Sequence, residues 1–196
     1  MGPLFLGIAG FVLYILYDIN SFTRRSRVLH GAFALGTLLL AAATVLDVLE
    51  TWRLGALRDP ADALLLAAAA GCLGALMYSL FFALPFQETY REQETGRHVY
   101  DGGVYALCRH PGILCFFGFY LCLGLAALPG RLLVHGMVFS LLDLAYAGFQ
   151  DRVTFPRTFC DYEAYRKRVP FLIPTGNSIR LARQTWNRSV SEEDET

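Results

Sequence analysis

Residues 111–149 have the sequence PGILCFFGFYLCLGLAALPGRLLVHGMVFSLLDLAYAGF, and this stretch decides the fold. It consists of two apolar segments, 111–128 and 132–149, joined only by Pro129, Gly130 and Arg131. A helix needs about 20 apolar residues to cross a bilayer, and so short a connection makes consecutive helices antiparallel. The stretch therefore predicts a hairpin of two membrane-spanning helices whose outer ends lie side by side.

Three further apolar segments precede this hairpin, near residues 2–19, 28–49 and 62–85. The composition agrees with spanning helices, because 55% of the residues are hydrophobic and only 17% are charged. The formal net charge is zero, so no overall field attracts nucleic acid. We therefore expect an all-α integral membrane protein with about five transmembrane helices and no nucleic-acid partner.

The chain is predicted to form a single membrane domain over residues 1–196. Residues 2–86 are expected to be scaffold helices, and residues 97–175 a candidate cofactor-binding region. Residues 176–196 form a tail that interleaves arginines with apolar side chains and ends in acidic residues. This pattern predicts a cytosolic interfacial helix followed by a disordered acidic end.

The basic residues predict the orientation, because cytosolic loops carry an excess of Lys and Arg. With the N-terminus outside, fourteen basic residues fall on the cytosolic side and three on the other side. We therefore expect an outside N-terminus and a cytosolic C-terminus, in a bacterial inner membrane. The predicted site region then lies at the cytosolic ends of the last two spans.

Two patterns of small residues are expected to serve helix packing. Ala67, Gly71 and Ala75 recur at four-residue spacing, which lets a neighbouring helix approach closely. The five cysteines lack the spacing of metal ligands. We expect them to be packing residues, and we expect no metal site.

A basic motif, Arg109-His110-Pro111, comes directly before the fourth apolar segment. Proline at the first turn of a helix costs no hydrogen bond, so Pro111 marks the start of that helix. Arg109 and His110 then lie at a helix N-terminus, where amide donors favour a carboxylate or phosphate. Side chains that merely reach the lipid headgroups would have the same spacing, and the two interpretations have equal weight.

Two groups of polar residues later in the chain are also candidates for the functional site. Asp143, Tyr146 and Gln150 share one helix face, and an ionisable residue such as Asp143 inside a span normally faces the bundle interior or a cavity. A structural aspartate is the alternative. Tyr162 and Tyr165 precede three basic residues, which is equally typical of a helix that docks on headgroups.

In their order along the chain, these motifs resemble the isoprenylcysteine carboxyl methyltransferase family, within the wider superfamily of phospholipid methyltransferases. The resemblance covers about residues 97–175 and implies transfer of a methyl group from S-adenosyl-L-methionine to a lipidic or prenylated acceptor that enters from the bilayer. It implies catalytic roles for Arg109 and Asp151. The residues that it implies for cofactor binding are Tyr105, His110, Pro111, Gln150, Tyr162, Tyr165, Val169 and Pro170.

Two other functions remain open. The family usually has two glutamates where this chain has Gln150 and Asp151, and an aromatic residue where it has Ile113. These departures suggest a non-catalytic membrane protein of the same fold that binds a lipid or a partner. A nicotinamide-dependent sterol-type reductase is a weaker alternative, because it needs more spanning helices and this chain has no Gly-rich dinucleotide loop.

Overall fold

A computed structural model describes residues 2–23, 26–53, 59–83, 97–127 and 130–193, without the side chains of Trp52 and residues 187–193. Throughout these described ranges, the regular elements are helices and none is a strand. In chain order they are α1 (Gly2–Thr23), α2 (Ala32–Arg53), α3 (Pro60–Met77), α4 (Val104–Leu107), α5 (Pro111–Ala126), α6 (Leu132–Phe149), α7 (Tyr162–Arg168) and α8 (Gly176–Glu193). A 3₁₀ turn, Val28–Gly31, leads into α2.

Two of the long helices end in π-helical turns. Helix α3 continues through Tyr78–Phe82, and α6 continues through Gln150–Thr154 into the α-helical residues Phe155–Thr158. The second turn ends two residues before Pro156, whose ring crowds the preceding turn and which donates no backbone hydrogen bond. The wider π turn accommodates that proline, so the helical run continues beyond Phe149, where α6 itself ends as predicted.

Four helical stretches are long and apolar enough to cross a membrane: Gly2–Thr23, Val28–Thr51, Pro60–Phe82 and Leu132–Thr158. The other predicted span forms α5, which has 16 residues. At 1.5 Å per residue α5 is about 24 Å long, shorter than a hydrocarbon core of about 30 Å. The structure therefore indicates an α-helical membrane protein with four candidate spans, and the fifth span stays a prediction.

The surfaces of these helices agree with a lipid environment. Leu64 is 74% exposed and Phe5 is 64% exposed, and both lie within candidate spans. Large apolar side chains are exposed along all four stretches. Contiguous apolar surface of this kind marks contact with lipid or with a partner rather than with water.

The chain divides into two compact units. The first unit comprises Met1–Leu73 and Phe116–Thr154, and the second unit comprises Gly74–Cys115 and Phe155–Thr196. The sequence suggested one domain. The boundaries fall inside continuous helices, so no linker or change in composition marks them in the sequence.

The first unit is built around aromatic side chains and a close contact between α1 and α2. Phe11, Tyr120 and Phe139 are buried together in its core. A Cβ atom on Gly10 would lie 2.7 Å from the carbonyl oxygen of Gly36, and one on Gly36 would lie 2.7 Å from that of Gly10. The two backbones therefore touch, and any larger side chain at either position must push the helices apart.

The predicted small-residue stripe is not such a contact. A Cβ atom on Gly71 would meet no described atom within 4 Å, and Ala67 and Ala75 are exposed. The prediction of close packing along this stripe is therefore wrong for the residues that the structure describes. The spacing of small residues shows which face of a helix permits close approach. Whether a contact forms depends on whether another helix packs against that face.

Gly10→Leu is expected to lower the free energy of unfolding of the first unit by about 1–3 kcal/mol, because the obstructing atom is a backbone oxygen that cannot rotate away. Gly71→Leu is the matched control, since it adds the same side chain to a helix at an open position. Thermal unfolding in detergent micelles measures both. Equal melting temperatures for the two variants would show that the α1–α2 contact does not limit stability.

The second unit has a smaller core on α7. Tyr162, Tyr165 and Val169 are buried there, and Leu181 of α8 packs against them. Helix α8 begins with a reciprocal cap between Thr175 and Ser178. The prediction of a helix in the tail is confirmed, but the disordered acidic end is wrong for residues 191–193, which are helical; residues 194–196 lie outside the described ranges.

Helix α8 is also tied to the turn before α4. The backbone N–H of Gly103 donates to the hydroxyl oxygen of Thr185 over 3.1 Å. Gly103 has a φ of 55°, in the left-handed region that side chains disfavour. This turn leads into α4, and the Arg109 motif follows α4 in the chain.

Candidate functional site

The two motifs that carry the family resemblance meet in the second unit. The backbone N–H of Arg109 donates to the carbonyl of Pro170 over 2.9 Å, and that of His110 donates to the carbonyl of Phe171 over 3.3 Å. Helix α5 begins at Pro111, as predicted. The Arg-His-Pro motif, residues 109–111, and the Val-Pro motif, Val169 and Pro170 of the resemblance, are therefore aligned side by side although they are far apart in the sequence.

The Arg109 side chain anchors the end of α7. Its Nη1 donates to the carbonyl of Arg166 over 2.8 Å and to that of Val169 over 2.7 Å. Its guanidinium lies 5.7 Å from the ring centre of Phe171. The last carbonyls of a helix lack partners within the helix and attract cations. The position thus gives Arg109 a structural role, while its catalytic role stays a prediction.

His110 is buried between aromatic rings. Its ring is stacked on Phe155 with centres 5.7 Å apart and planes 14° apart, and it contacts Phe171 at 4.9 Å. Neither phenylalanine was among the predicted site residues. No sequence signal singles out Phe155, whereas Phe171 follows the Val-Pro motif directly.

Two of the predicted tyrosines, Tyr105 and Tyr165, donate hydrogen bonds to backbone carbonyls. Tyr165 donates its hydroxyl to the carbonyl of Tyr105 over 2.7 Å, and Tyr105 donates its own to the carbonyl of Ser79 over 2.7 Å. Ser79 lies in the first π turn. Burial raises the pKa of Tyr165 above its ordinary value, so this phenol stays neutral and acts as a donor.

Cys108, next to the motif, is not a reactive thiol. It is fully buried, and burial raises the pKa of the thiol to about 11. Only the thiolate is a good nucleophile. The expectation that Cys108 is a packing residue therefore fits the structure, but it does not extend to Cys160, whose side chain is exposed.

Gln150 and Asp151 belong to the first unit. Gln150 Nε2 donates to Asp18 Oδ2 over 3.0 Å and to the Tyr146 hydroxyl over 2.9 Å, and the Thr154 hydroxyl donates to the same Asp18 oxygen over 3.3 Å. Asp151 is buried. This polar cluster ties α1 to the second π turn.

Of the three residues on the predicted helix face, only two are hydrogen bonded to each other. Tyr146 and Gln150 are hydrogen bonded, but no described side chain donates a hydrogen bond to Asp143, which is half-buried. Asp18 was missed as a site residue, although it also lies in an apolar segment. The rule that ionisable residues inside spans mark important positions selects it as well as Asp143.

A second buried polar cluster joins α2 to the start of α6. His135 Nδ1 and Asp47 Oδ2 are 2.7 Å apart, and Arg131 Nε donates to Asp47 Oδ1 over 3.3 Å. Arg131 also pairs with Glu50. His135 is thereby held in a buried hydrogen-bonded contact with Asp47.

The predicted site residues thus fall into two groups. The second unit contains Tyr105, Arg109, His110, Pro111, Tyr162, Tyr165, Val169 and Pro170. The first unit contains Gln150 and Asp151. Comparison with protein-family models, curated proteins and solved structures gave no match to the chain. The likeness to the isoprenylcysteine methyltransferases therefore depends on the motif residues themselves.

Proposed function

We propose that the chain is a membrane-embedded S-adenosyl-L-methionine-dependent methyltransferase that acts on a lipidic or prenylated acceptor entering from the bilayer. The observation that carries the proposal is the backbone pairing of Arg109 and His110 with Pro170 and Phe171. It joins the two motifs of the resemblance into one structure.

The proposed topology has five spans, with α5 as the additional short one, an outside N-terminus and a cytosolic C-terminus. The distribution of fourteen basic residues against three supports this orientation. It leaves the second unit's polar residues at the cytosolic face, where a soluble nucleoside cofactor arrives. The acceptor approaches through lipid, which gives a reason for building the enzyme inside a membrane.

The residues of the second unit suit part of the cofactor. The rings of His110, Phe155 and Phe171 provide aromatic surface, which attracts a sulfonium cation and stacks on adenine. Arg109 acts as a positioning residue that fixes the end of α7. The resemblance implies Asp151, in the first unit, as the carboxylate for the cofactor, and a carboxylate suits a cationic amino group.

The cofactor supplies an electrophilic methyl group, and the chain supplies orientation and exclusion of water. The Cys108 thiol and the Tyr165 phenol are held in their protonated forms by burial, because it raises the pKa of each. Neither competes for the methyl group at neutral pH. In the proposed reaction the methyl group passes to a nucleophile of the acceptor.

The test is calorimetric titration of S-adenosyl-L-methionine into the full chain in lipid nanodiscs. We expect saturable binding that Asp151→Asn weakens by about tenfold or more, because a charge-assisted contact is lost. Asp151→Glu keeps the carboxylate and is expected to retain binding. Asp143→Asn is the matched control, since it removes a carboxylate from the same helix. Absence of binding by the folded parent protein would contradict the proposal.

A non-catalytic lipid-binding protein is the second candidate. The observation that favours it concerns Gln150, which stands where the family usually has a glutamate. Its side-chain amide carries no charge and donates hydrogen bonds to Asp18 and Tyr146. In this case a lipid identified by mass spectrometry co-purifies with the chain, and titration with S-adenosyl-L-methionine gives no heat. The two candidates are thereby separated by measurements on the same preparation.

A further inference from the structure

Three side chains with metal-binding chemistry converge on the surface of the second unit. The donor atoms of His98, Cys160 and Asp161 all lie within 4.8 Å of one another. His98 Nδ1 is 3.2 Å from Asp161 Oδ2 and 3.6 Å from Cys160 Sγ. In a tetrahedral zinc site, bond lengths of about 2.0–2.3 Å place neighbouring ligand atoms roughly 3.3–3.6 Å apart. The observed separations are close to two edges of that tetrahedron.

The backbone holds the three residues in this arrangement. The N–H of Cys160 donates to the carbonyl of Arg97 over 3.0 Å, and the N–H of Val99 donates to Asp161 Oδ1 over 2.9 Å. Residues 97–99 are thereby fixed against residues 160–161. Because Asp161 Oδ1 accepts the hydrogen bond from the Val99 N–H, Oδ2 is the oxygen that faces the cluster. Asp161 is therefore placed to act as a monodentate ligand.

The donor set selects the class of ion. A thiol sulfur and an imidazole nitrogen favour zinc and its neighbours in the first transition row, whereas Mg²⁺ and Ca²⁺ prefer oxygen ligands. The side chains of His98 and Asp161 are 42% and 36% exposed, so an ion reaches the cluster from solvent without any opening of the fold. We propose that His98, Cys160 and Asp161 form a three-ligand site for a divalent transition metal ion, best matched by Zn²⁺, with the fourth position open to water.

Metal binding replaces the contacts that the Cys160 thiol makes with the carbonyl of Arg97, over 3.3 Å, and with the two ring nitrogens of His98, over 3.6 and 3.7 Å, and the imidazole turns so that its Nδ1 lone pair faces the ion. The Cys160 thiol releases its proton to solvent and binds as the thiolate, while the lone pair of His98 Nδ1 and the Asp161 carboxylate complete the set. The ion then links residues 97–99 to the turn that leads into α7. Since Tyr162 and Tyr165 of α7 form the core of this unit, the metal stabilises the unit. This role is independent of methyl transfer.

Titration of the full chain in nanodiscs with Co²⁺ tests the site, because a cobalt–thiolate bond gives a charge-transfer absorption band in the near ultraviolet. We expect a saturable band that Zn²⁺ removes by displacement and that is lost in Cys160→Ser. Asp161→Asn keeps an oxygen for the Val99 N–H and is expected to weaken Co²⁺ binding about tenfold or more. Cys122→Ser and His30→Ala are matched controls outside the cluster and are expected to bind as the parent chain does.

Thermal unfolding gives a second measurement that does not depend on spectra. Zn²⁺ is expected to raise the melting temperature of the parent chain and of Cys122→Ser, and a chelator to reverse the rise. Cys160→Ser is expected to show no rise. The proposal is overturned if the parent chain gives no saturable cobalt–thiolate band, or if Cys160→Ser binds Co²⁺ as tightly as Cys122→Ser.

Discussion

Asp47→Ala is expected to destabilise the first unit by about 3 kcal/mol, the lower end of the range for breaking a buried ion pair. Asp47 is 1% exposed and accepts hydrogen bonds from His135 and Arg131. Truncation leaves the buried His135 ring without its carboxylate. Arg131 is 41% exposed and regains water, which is why the loss does not reach the upper end of the range. Thermal unfolding in detergent micelles measures the change.

Two variants separate the buried contact from the exposed one. Asp47→Asn keeps an acceptor oxygen near His135 and is expected to cost less than the alanine variant. Glu50→Ala removes the outer partner of Arg131, whose pair is partly exposed, and is expected to cost less than about 1 kcal/mol. An Asp47→Ala variant as stable as Glu50→Ala would show that the Asp47–His135 contact contributes nothing.

The candidate spanning helices were the most predictable part of the fold. Apolar segments near 2–19 and 28–49, and the described part of the segment near 62–85, correspond to helices because, in lipid, only a helix satisfies every backbone group within one segment. Helix α6 ends at Phe149, as predicted, but the helical run does not end there. Gln150 and Asp151 mark where the apolar surface ends, but nothing there breaks a helix, so the helical run continues to Thr158.

Local rules located the site motifs but not the contacts of their side chains. The start of α5 at Pro111 follows from the chemistry of proline and was predictable. The hydrogen bonds from Arg109 Nη1 to the carbonyls at the end of α7 depend on tertiary packing, which cannot be predicted from the spacing of residues in the sequence. The cluster of His98 with Cys160 could not be predicted from the sequence for the same reason, because the two residues are 62 positions apart in the chain.

Arg109→Ala is expected to destabilise the second unit by about 3 kcal/mol, because hydrogen bonds from a charged donor contribute about 1.5–3 kcal/mol each. The variant loses two such bonds, to the carbonyls of Arg166 and Val169, together with the contact to Phe171. The carbonyls regain some water, so the two contributions do not add in full. Hydrogen exchange of the amides of α7 reports the loss directly, and thermal unfolding reports it for the whole unit.

Lysine at the same position distinguishes an anchoring role from contact with the cofactor. Arg109→Lys keeps the charge but not the planar fork, so we expect part of the stability and of the protection of α7 to return. Lys167→Ala, on the exposed side of α7, is the control and is expected to change little. If Arg109→Lys regains protection of α7 together with binding of S-adenosyl-L-methionine, the arginine acts through position alone. Protection regained without binding would instead place its guanidinium against the cofactor, and an alanine variant as well protected as Lys167→Ala would refute the anchor.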